Sequence, residues 1–375
     1  MINGGSMALR VVQWATGPVG REALRAIIEH PELDLTGVVV YSPDKDGLDA
    51  GELCGLPQTG IRATRDPALA LATGADAVCY TPGIPDLAEV CRLLAGGANV
   101  VATPFLFYPP AYGSVVVDPL VEACRRGGTS VHGTGINPGF VADLLVLTCS
   151  GLVRSLHHVE VHEVGNWSLL ESRAMVFENA RFGSPPGAAT LAANPYARTM
   201  SDYFKESIHM AAAGLGVTLE RCTESQELLV TDKPIDVLSG TVEAGTVSGQ
   251  HFRWAGVAAG RDLLSIDTWW WVGGERPESY PSRRPDGWSI DIEGSPSIRL
   301  SMLALGSLDP ASSLPIKAHV EAASLATAMH AVNAIPAVCA AEPGIRTVLD
   351  LPLITGRRIQ ISQNSWIDSE KGDQQ

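Results

Sequence analysis

The segment that most constrains this chain runs from residue 10 to residue 20 and reads RVVQWATGPVG. An apolar run ends at Trp14, and a turn through Gly17 and Gly20 leads into REALRAIIEH, which is apolar at helical spacing. A strand that turns directly into a helix presents free backbone N–H groups and a positive dipole end, as a dinucleotide pyrophosphate requires. The segment therefore predicts a nucleotide site. The alternative is a glycine-rich turn in an unrelated α/β domain.

The turn departs from the usual dinucleotide fingerprint, because the first glycine of G-x-G-x-x-G is replaced by Ala15. In a G-x-x-G-x-x-G register, Trp14 takes that place. The context supports the assignment, since a second strand, predicted at Leu35 to Val40, follows the helix. The predicted pyrophosphate contacts are Thr16, Gly17, Pro18, Val19 and Gly20.

The end of the second predicted strand indicates which cofactor binds. An NAD site places an acidic residue about 20 positions after the glycine turn, but this chain has Tyr41 there. Ser42 can donate to a 2′-phosphate and Lys45 can pair with its charge. These residues favour NADP over NAD. In the alternative interpretation the segment is an exposed turn and Asp44 binds the ribose.

Composition sets the limits of the fold and of the partners. A chain of 375 residues with 45% hydrophobic residues suggests two globular domains. The net charge of −14 argues against a nucleic-acid partner. Seven scattered cysteines without C-x-x-C predict reduced thiols rather than disulfides or zinc. We find neither a signal pattern nor about 18 consecutive apolar residues, so we expect no membrane association and a cytoplasmic protein.

The periodicity of the apolar residues changes near residue 150. Before that point, strands and helices alternate, which predicts a doubly wound parallel sheet of the Rossmann type. From about residue 157 the period is two, which predicts an α+β domain with a mainly antiparallel sheet. We assign 1–6 as an expression remnant, 7–150 as the dinucleotide-binding domain, 151–319 as the substrate and dimerisation domain, 320–360 as a C-terminal helix and returning segment, and 361–375 as a polar tail.

Five segments together resemble the dihydrodipicolinate-reductase-like oxidoreductases, in the branch of diaminopentanoate dehydrogenase and the native amine dehydrogenases. They are VVQWATGPVG, YSPDKDGLDAGELCGLP, HGTGINPGF, FGSPPG and HAVNAIPAVCAAEPGI. The resemblance implies an N-terminal Rossmann domain, a second domain that closes over the nicotinamide, and a late helix that returns to the first domain. It also implies a dimer and NAD(P)-dependent hydride transfer at a carbon bearing nitrogen.

Two family features are missing from this chain. The paired histidines of dihydrodipicolinate reductase would fall near Gly165 and Asn166, which argues against lysine-pathway reduction. The amine dehydrogenases have a proton-accepting glutamate two or three residues after the fourth strand. Here the residues from Pro104 to Tyr108 include no carboxylate. We therefore expect a reaction that does not need ammonia.

Four residues are candidates for the chemistry. Asn137, in the loop after the last Rossmann strand, can orient a substrate or satisfy its own turn. His132 is a candidate general acid or a core histidine, and Tyr108 is a candidate proton donor or a packing aromatic. In HHVEVHEVGN, period two aligns Glu163 with Val159 and Val161, so that its pKa would be raised or its charge paired.

The remaining predictions concern the rest of the site. The opposite face of that strand carries His158, Glu160 and His162, which we interpret as a solvated or dimer-facing surface; we predict no metal, for lack of a third ligand. The tryptophans of the second domain form either a core or an apolar substrate wall. Further predicted cofactor contacts are Tyr80, Thr81, Pro82, Ala102, Thr103 and Asn333, and the predicted pocket residues are Phe105, Leu106, Phe140 and Asn166.

Two functions stay open at this point. The first is an NADP-dependent oxidoreductase that transfers hydride to or from a C=N or C=O carbon of a small, fairly apolar substrate. The second is a non-catalytic NADP-binding sensor or regulatory protein on a reductase scaffold. In either case we expect a homodimer formed through the open face of the second sheet, on the argument that this face is too apolar to leave in water.

Overall fold

The computed structural model describes residues 8–280 and 284–356. The predicted remnant at 1–6 and the polar tail at 361–375 lie outside these ranges. In the first domain the strands are β1 Leu9–Trp14, β2 Leu33–Val39, β3 Ala63–Thr64, β4 Ala77–Tyr80, β5 Asn99–Ala102 and β6 Ser130–Gly133. Its helices are α1 Pro18–Glu29, α2 Ala50–Cys54, α3 Pro67–Leu71, α4 Leu87–Ala95, α5 Ser114–Gly127 and α6 Val146–Ser150.

The first sheet is wound in both directions from β1. Its strand order is β15-β6-β5-β4-β1-β2-β3, where β15 is Gly344–Ile345, and every pair is parallel. The doubly wound Rossmann-type sheet is therefore confirmed. The strand order reverses at β1, so the carboxyl ends of β1 and β4 border the crevice in which such sheets bind ligands.

The second domain contains a six-stranded sheet and one long helix. Its elements are β7 Ser155–Asn166, α7 Pro186–Ala189, α8 Pro195–Gly214, β8 Arg221–Val230, β9 Ile235–Val237, β10 Gly240–Val242, β11 Val247–Ala258, β12 Arg261–Trp271, β13 Gly287–Ser295 and β14 Ile298–Met302. The order is β14-β13-β7-β12-β11-β8, and of these pairs β7 with β12 is parallel. The expected mainly antiparallel sheet is thus confirmed. Helix α8 packs its buried face on β11 and β12.

The chain then returns to the first domain through helix α9, Ile316–Cys339. This helix is apolar enough, over its 24 residues, to meet the length and composition of a membrane span. Ala328, Ala331, Val332 and Ile335 are fully buried, however, and lie in the same apolar core as residues of α1, β1 and β4. A helix that is apolar on most sides fits such a packed position between α1 and the sheet.

Candidate active site

The turn after β1 has the geometry of an anion-binding site. A Cβ atom on Gly20 would lie 2.3 Å from the carbonyl oxygen of Ala15, so α1 can approach the strand this closely only with glycine there. A Cβ on Gly17 would meet nothing within 4 Å. Gly17 caps α1 without a side-chain hydrogen bond, and the first turn of α1 has no acidic residue. The free N–H groups of this helix end therefore face open space, as a pyrophosphate needs.

Ala15 adopts the left-handed backbone conformation that the missing fingerprint glycine would take freely, with φ of 70°. Neighbouring side chains hold it there. Nε2 of Gln13 donates to the Ala15 carbonyl at 2.8 Å, and the Thr81 hydroxyl donates to the Trp14 carbonyl at 2.9 Å. Thr81 therefore stabilises the turn by a hydrogen bond within the protein.

The segment after β2 places a cation beside the turn. Nζ of Lys45 donates to the carbonyl oxygen of Thr16 at 2.9 Å. The Ser42 hydroxyl donates to the Asp44 carboxylate, so these two side chains are paired with each other. Sequence reasoning missed Arg65, which is brought to this place by β3. Its Nε donates to the carbonyl of Tyr41 at 3.1 Å, on the exposed edge after β2.

The remaining predicted cofactor residues fall into two groups. Pro82, Ala102 and Thr103 lie at the carboxyl ends of β4 and β5, beside the turn. The side chain of Tyr80 lies elsewhere, because it is buried against Trp14 and its hydroxyl donates to Glu89 at 2.9 Å.

Asn333 was expected to contact the cofactor, and this prediction is wrong. It lies on α9 beside the carboxyl-terminal half of α1, where it lines a surface groove with Ala26 and Glu29. Helix α9 runs along α1, with Glu321 opposite Arg21 near the amino-terminal end, so a residue twelve positions later lies at the far end of α1 from the turn.

Glu163 and Asn137 meet where the two domains join. Asn137 Nδ2 donates to Glu163 Oε2 at 2.8 Å. Trp288 Nε1 donates to the same oxygen at 2.8 Å, and Trp270 Nε1 donates to Oε1 at 3.0 Å. Burial raises the pKa of Glu163, while the three donors lower it. Asn137 Oδ1 accepts no hydrogen bond from the described residues. Sequence analysis named Glu163 and Asn137 as separate candidates, and the structure brings them into direct contact.

A second buried carboxyl group, Glu206 on α8, was missed by the sequence reasoning. It is fully buried, and it accepts from the Tyr108 amide at 2.6 Å and from the Tyr112 hydroxyl at 2.8 Å. Burial raises the pKa of Glu206 to about 8, with a further contribution from the charge of Asp143. The only signal in the sequence was a glutamate on the apolar side of an amphipathic helix.

Asp143 lies next to this group, in the helical turn that follows the Asn137 loop. Its carboxylate accepts from the backbone amide of Gly139, and burial raises its pKa to about 6. Two acids with raised pKa values therefore lie behind the loops that follow β5 and β6. Perturbed acids at the ligand-binding end of a parallel sheet are typical of functional sites.

Two of the candidate proton donors are placed differently from our expectation. His132 is buried, its Nδ1 lies 2.8 Å from the Arg346 carbonyl, and burial lowers its pKa to about 4. It is a neutral core histidine, and the general-acid assignment is wrong. Tyr108 contacts Glu206 through its backbone amide, whereas the tyrosine hydroxyl that donates to Glu206 belongs to Tyr112.

The predicted pocket residues need similar correction. Phe105 and Leu106 are buried in the core behind the first sheet, where Phe105 packs on Tyr80 at 6.1 Å between ring centroids. The residue of this loop that faces the second domain is Phe107, which packs edge-on against Tyr203 of α8.

Phe140 and Asn166 complete the predicted pocket. Phe140 is half-buried and packs against His330 of α9 at 5.0 Å between ring centroids. Asn166 is exposed and shapes a turn, because its Nδ2 donates to the Gly273 carbonyl and its Oδ1 accepts from the Ser168 amide. The assignment of Asn166 to the substrate pocket is therefore wrong.

The open face of the second sheet contains a charged network. A third possible ligand, Asp291 of β13, lies close enough to Glu160 and His162 to complete a set of possible metal ligands, so our argument that no third ligand is present was wrong. Arg299 pairs with Asp291 at 2.7 Å, and Arg284 pairs with both Asp291 and Glu160. Because two guanidinium groups already neutralise these carboxylates, the cluster is an ion-pair network.

Comparison with known proteins identifies the family. A family profile described as the 2,4-diaminopentanoate dehydrogenase C-terminal domain matches residues 140–365. The amine dehydrogenase of Streptomyces virginiae is 31% identical over 371 residues, which cover 92% of this chain and 96% of that protein. The chain belongs to the family of the amine dehydrogenases and 2,4-diaminopentanoate dehydrogenase. It is therefore an oxidoreductase of the amine dehydrogenase type, and the predicted family resemblance is confirmed.

Further relatives agree with this assignment. The 2,4-diaminopentanoate dehydrogenase of Acetoanaerobium sticklandii is 27% identical over 252 residues, which cover 66% of this chain and 64% of that protein. The structure of the amine dehydrogenase from Mycobacterium smegmatis superposes with a TM-score of 0.71 at 20% identity, and the match covers 93% of this chain and 97% of that one. This structural likeness shows that the two-domain fold is shared.

Proposed function

We propose that this protein is an NADP-dependent oxidoreductase that transfers hydride to or from the carbon of a C=N bond in a small, fairly apolar substrate. The observation that carries this proposal is the cluster of Glu163 and Asn137. All three hydrogen-bonding partners of Glu163 donate to it, so they stabilise its ionised form. With Asn137 Nδ2 turned towards this carboxylate, Oδ1 of Asn137 is left as a second acceptor.

Two acceptors, one of them an anion, are suited to a group that carries N–H and positive charge. A protonated imine or an ammonium group has both properties, whereas a carbonyl oxygen needs a donor. In this proposal Glu163 stabilises positive charge at the substrate nitrogen and Asn137 orients the group. The names of the relatives, amine dehydrogenase and diaminopentanoate dehydrogenase, support a substrate carbon that bears nitrogen.

The residues of the first domain fit a nicotinamide dinucleotide. Gly17 and the free N–H groups of α1 would hold the pyrophosphate, and Lys45 and Arg65 would bind the 2′-phosphate of NADP. When bound, the nicotinamide ring accepts or gives up the hydride. Protein side chains then have to orient the substrate, exclude water and move the proton.

The neighbourhood of this cluster is aromatic. Trp270 packs on Trp167 at 5.0 Å between ring centroids, and Phe107 packs on Tyr203 at 5.9 Å. Burial raises the pKa of Tyr196 to about 12, with a smaller contribution from the charge of nearby Glu163. Such walls favour an aliphatic or cyclic substrate over a polyanion.

The test follows NADPH absorbance. NADPH oxidation is measured over a panel of ketones and cyclic imines, with and without ammonia, and NADP⁺ reduction over primary amines. Turnover of imines or amines supports the proposal. Turnover of ketones alone, with no effect of ammonia, places the substrate among carbonyl compounds and contradicts the assigned role of Glu163. Tight NADPH binding with no turnover over the whole panel favours the non-catalytic sensor instead.

A further inference from the structure

In the described part of the chain, the carboxyl groups of Glu163, Asp143 and Glu206 lie near the join of the domains, and the proposed function uses only Glu163. Glu206 is fully buried, and no step described above involves it. It lies on α8 of the second domain but contacts the loop that follows β5 of the first. That loop is at the carboxyl edge of the parallel sheet, next to the Asn137 loop.

The hydrogen-bonding partners of the two glutamates differ in one respect. Glu163 is bound by two indoles, which can only donate, and by the Asn137 amide, which donates through Nδ2. Oε1 of Glu206 is bound by the Tyr112 hydroxyl, which can donate or accept. When Glu206 takes up a proton on Oε1, it can donate to Tyr112, and the hydrogen bond persists with its direction reversed. Glu206 can therefore change its charge without losing its partner.

We propose that Glu206 and Tyr112 form the proton-exchange pair of this site, with the proton held on Glu206 and passed through the Tyr112 hydroxyl. In this arrangement Glu206 is a positioning residue that acts through Tyr112. The inference rests on the proposed function, since it assigns the proton of that reaction. It also separates the roles of the two acids, because Glu163 contacts the substrate nitrogen whereas Glu206 holds the exchanging proton.

The proton balance of amine oxidation shows why such a pair is needed. Hydride leaves the carbon with the electron pair of the C–H bond, which the nitrogen lone pair replaces by forming C=N. An alkylammonium group has no free lone pair, so it must first lose one N–H proton. The phenol of Tyr112 takes up that proton at Oη while its own proton moves to Oε1 of Glu206. In the reductive direction the proton returns by the same path.

The surroundings of Glu206 suit this task. An alkylammonium resembles the lysine side chain, with a pKa of about 10, so a base with a pKa near 8 accepts its proton with a small barrier. The titratable groups facing Glu206 are Asp143 from the turn after β6, Tyr112 from the loop after β5 and Tyr203 from α8 itself. Burial and the negative charge of Asp143 raise the affinity of Glu206 for the proton, and the hydrogen bonds from Tyr108 and Tyr112 lower it.

The first test observes the proton directly and needs no turnover. Infrared difference spectra of the full-length protein are recorded across a pH titration, for the wild type and the variant Glu206→Gln. We expect a protonated-carboxyl band in the wild type that disappears as pH rises through about 8 and that is absent from the variant. The control Asp202→Asn, an acid-to-amide change at an exposed position of the same helix, should keep the band. Asp143 also contributes a protonated-carboxyl band, but one that disappears near pH 6. A band that disappears near pH 8 and persists in Glu206→Gln overturns the inference.

The second test uses the pH dependence of kcat for amine oxidation. The wild-type kcat should rise with pH through about 8, because Glu206 must be ionised to accept the proton. Tyr112→Phe keeps the ring but removes the relay, so kcat should fall roughly 10²–10⁴-fold and lose this limb while KM changes little. A purely structural role would raise KM and leave the limb in place, and that result overturns the inference. Absence of wild-type turnover contradicts the proposed function but leaves the infrared test decisive.

Discussion

The carboxylate of Glu206 in the second domain accepts a hydrogen bond at 2.6 Å from the backbone amide of Tyr108 in the first. The loop that carries Tyr108 is strained, because Leu106 takes the left-handed backbone conformation with φ of 68°. Gly133 permits this shape, since a Cβ there would lie 2.2 Å from the Leu106 carbonyl carbon. One buried acid therefore helps to fix the loop beside the expected nicotinamide position.

The two glycines of the β1 turn should respond differently to alanine. Gly20→Ala forces a Cβ to within 2.3 Å of the Ala15 carbonyl oxygen, so it should lower the free energy of unfolding by about 1–3 kcal/mol. Gly17→Ala has free space and an ordinary φ, so stability should be retained while the new methyl group obstructs the pyrophosphate. Urea denaturation and calorimetric cofactor titration measure both effects. Equal stability of the two variants would contradict the described packing.

The preference for NADP should depend on Arg65. Loss of one charge-assisted hydrogen bond costs about 1.5–3 kcal/mol, so Arg65→Ala should weaken NADP binding at least tenfold and leave NAD binding unchanged. Lys45→Ala should weaken both cofactors, because Lys45 also holds the Thr16 carbonyl. Arg126→Ala, at an exposed position near the end of α5, serves as the control. If the unmodified protein binds NAD as tightly as NADP, the assignment fails.

Glu206 should also make stability depend on pH. Its folded pKa of about 8 exceeds its unfolded value of 4.5, so the folded state binds the proton more tightly and stability falls as pH rises between these values. His132 and His330, with folded pKa values of about 4, have the opposite effect, but only below about 6.5. Between pH 6.5 and 8 the denaturation midpoint should therefore fall for the wild type and stay level for Glu206→Gln. A wild-type midpoint that rises over this interval refutes the assignment.

The homodimer remains a prediction, but the open face of the second sheet is only partly apolar. The open face of the second sheet is apolar at one end, around Val164, Trp271 and Tyr280, while Glu160 and Asp291 belong to its charged part. Sedimentation at micromolar concentration should give about twice the chain mass of 39.6 kDa, and high salt should weaken the association. A sedimenting mass equal to one chain at low salt contradicts it.

Most of the fold could be predicted because periodicity reports burial directly. The strand predicted at Leu35 to Val40 is β2, Leu33–Val39, and the predicted change of period near residue 150 falls between α6 and β7. Helix ends were less certain, since α8 begins at Pro195 with Asn194 as its cap. Such a start depends on side-chain hydrogen bonding, which apolar spacing does not register.

The site was predicted where one strand or one loop determines it, and missed where separate segments meet. Alternation along β7 identified Glu163, and the loop after β6 identified Asn137. Glu206 contacts Tyr108 but lies 98 positions after it in the chain, and no local sequence pattern acts over that separation. Phe105 was misplaced because a loop residue after a strand can face either side of the sheet. Phe105→Glu would therefore bury a charge in the core.

The most direct measurement compares a primary amine with the secondary alcohol of the same carbon skeleton as substrates for NADP⁺ reduction. The two differ in the group that contacts Glu163 and Asn137. We predict a higher kcat/KM for the amine in the wild type. Glu163→Gln should reduce kcat/KM for the amine by roughly 10²–10³-fold, with little effect on the alcohol. Equal use of amine and alcohol by the wild type, with the amine unaffected by Glu163→Gln, would contradict the proposed hydride transfer at a carbon bearing nitrogen.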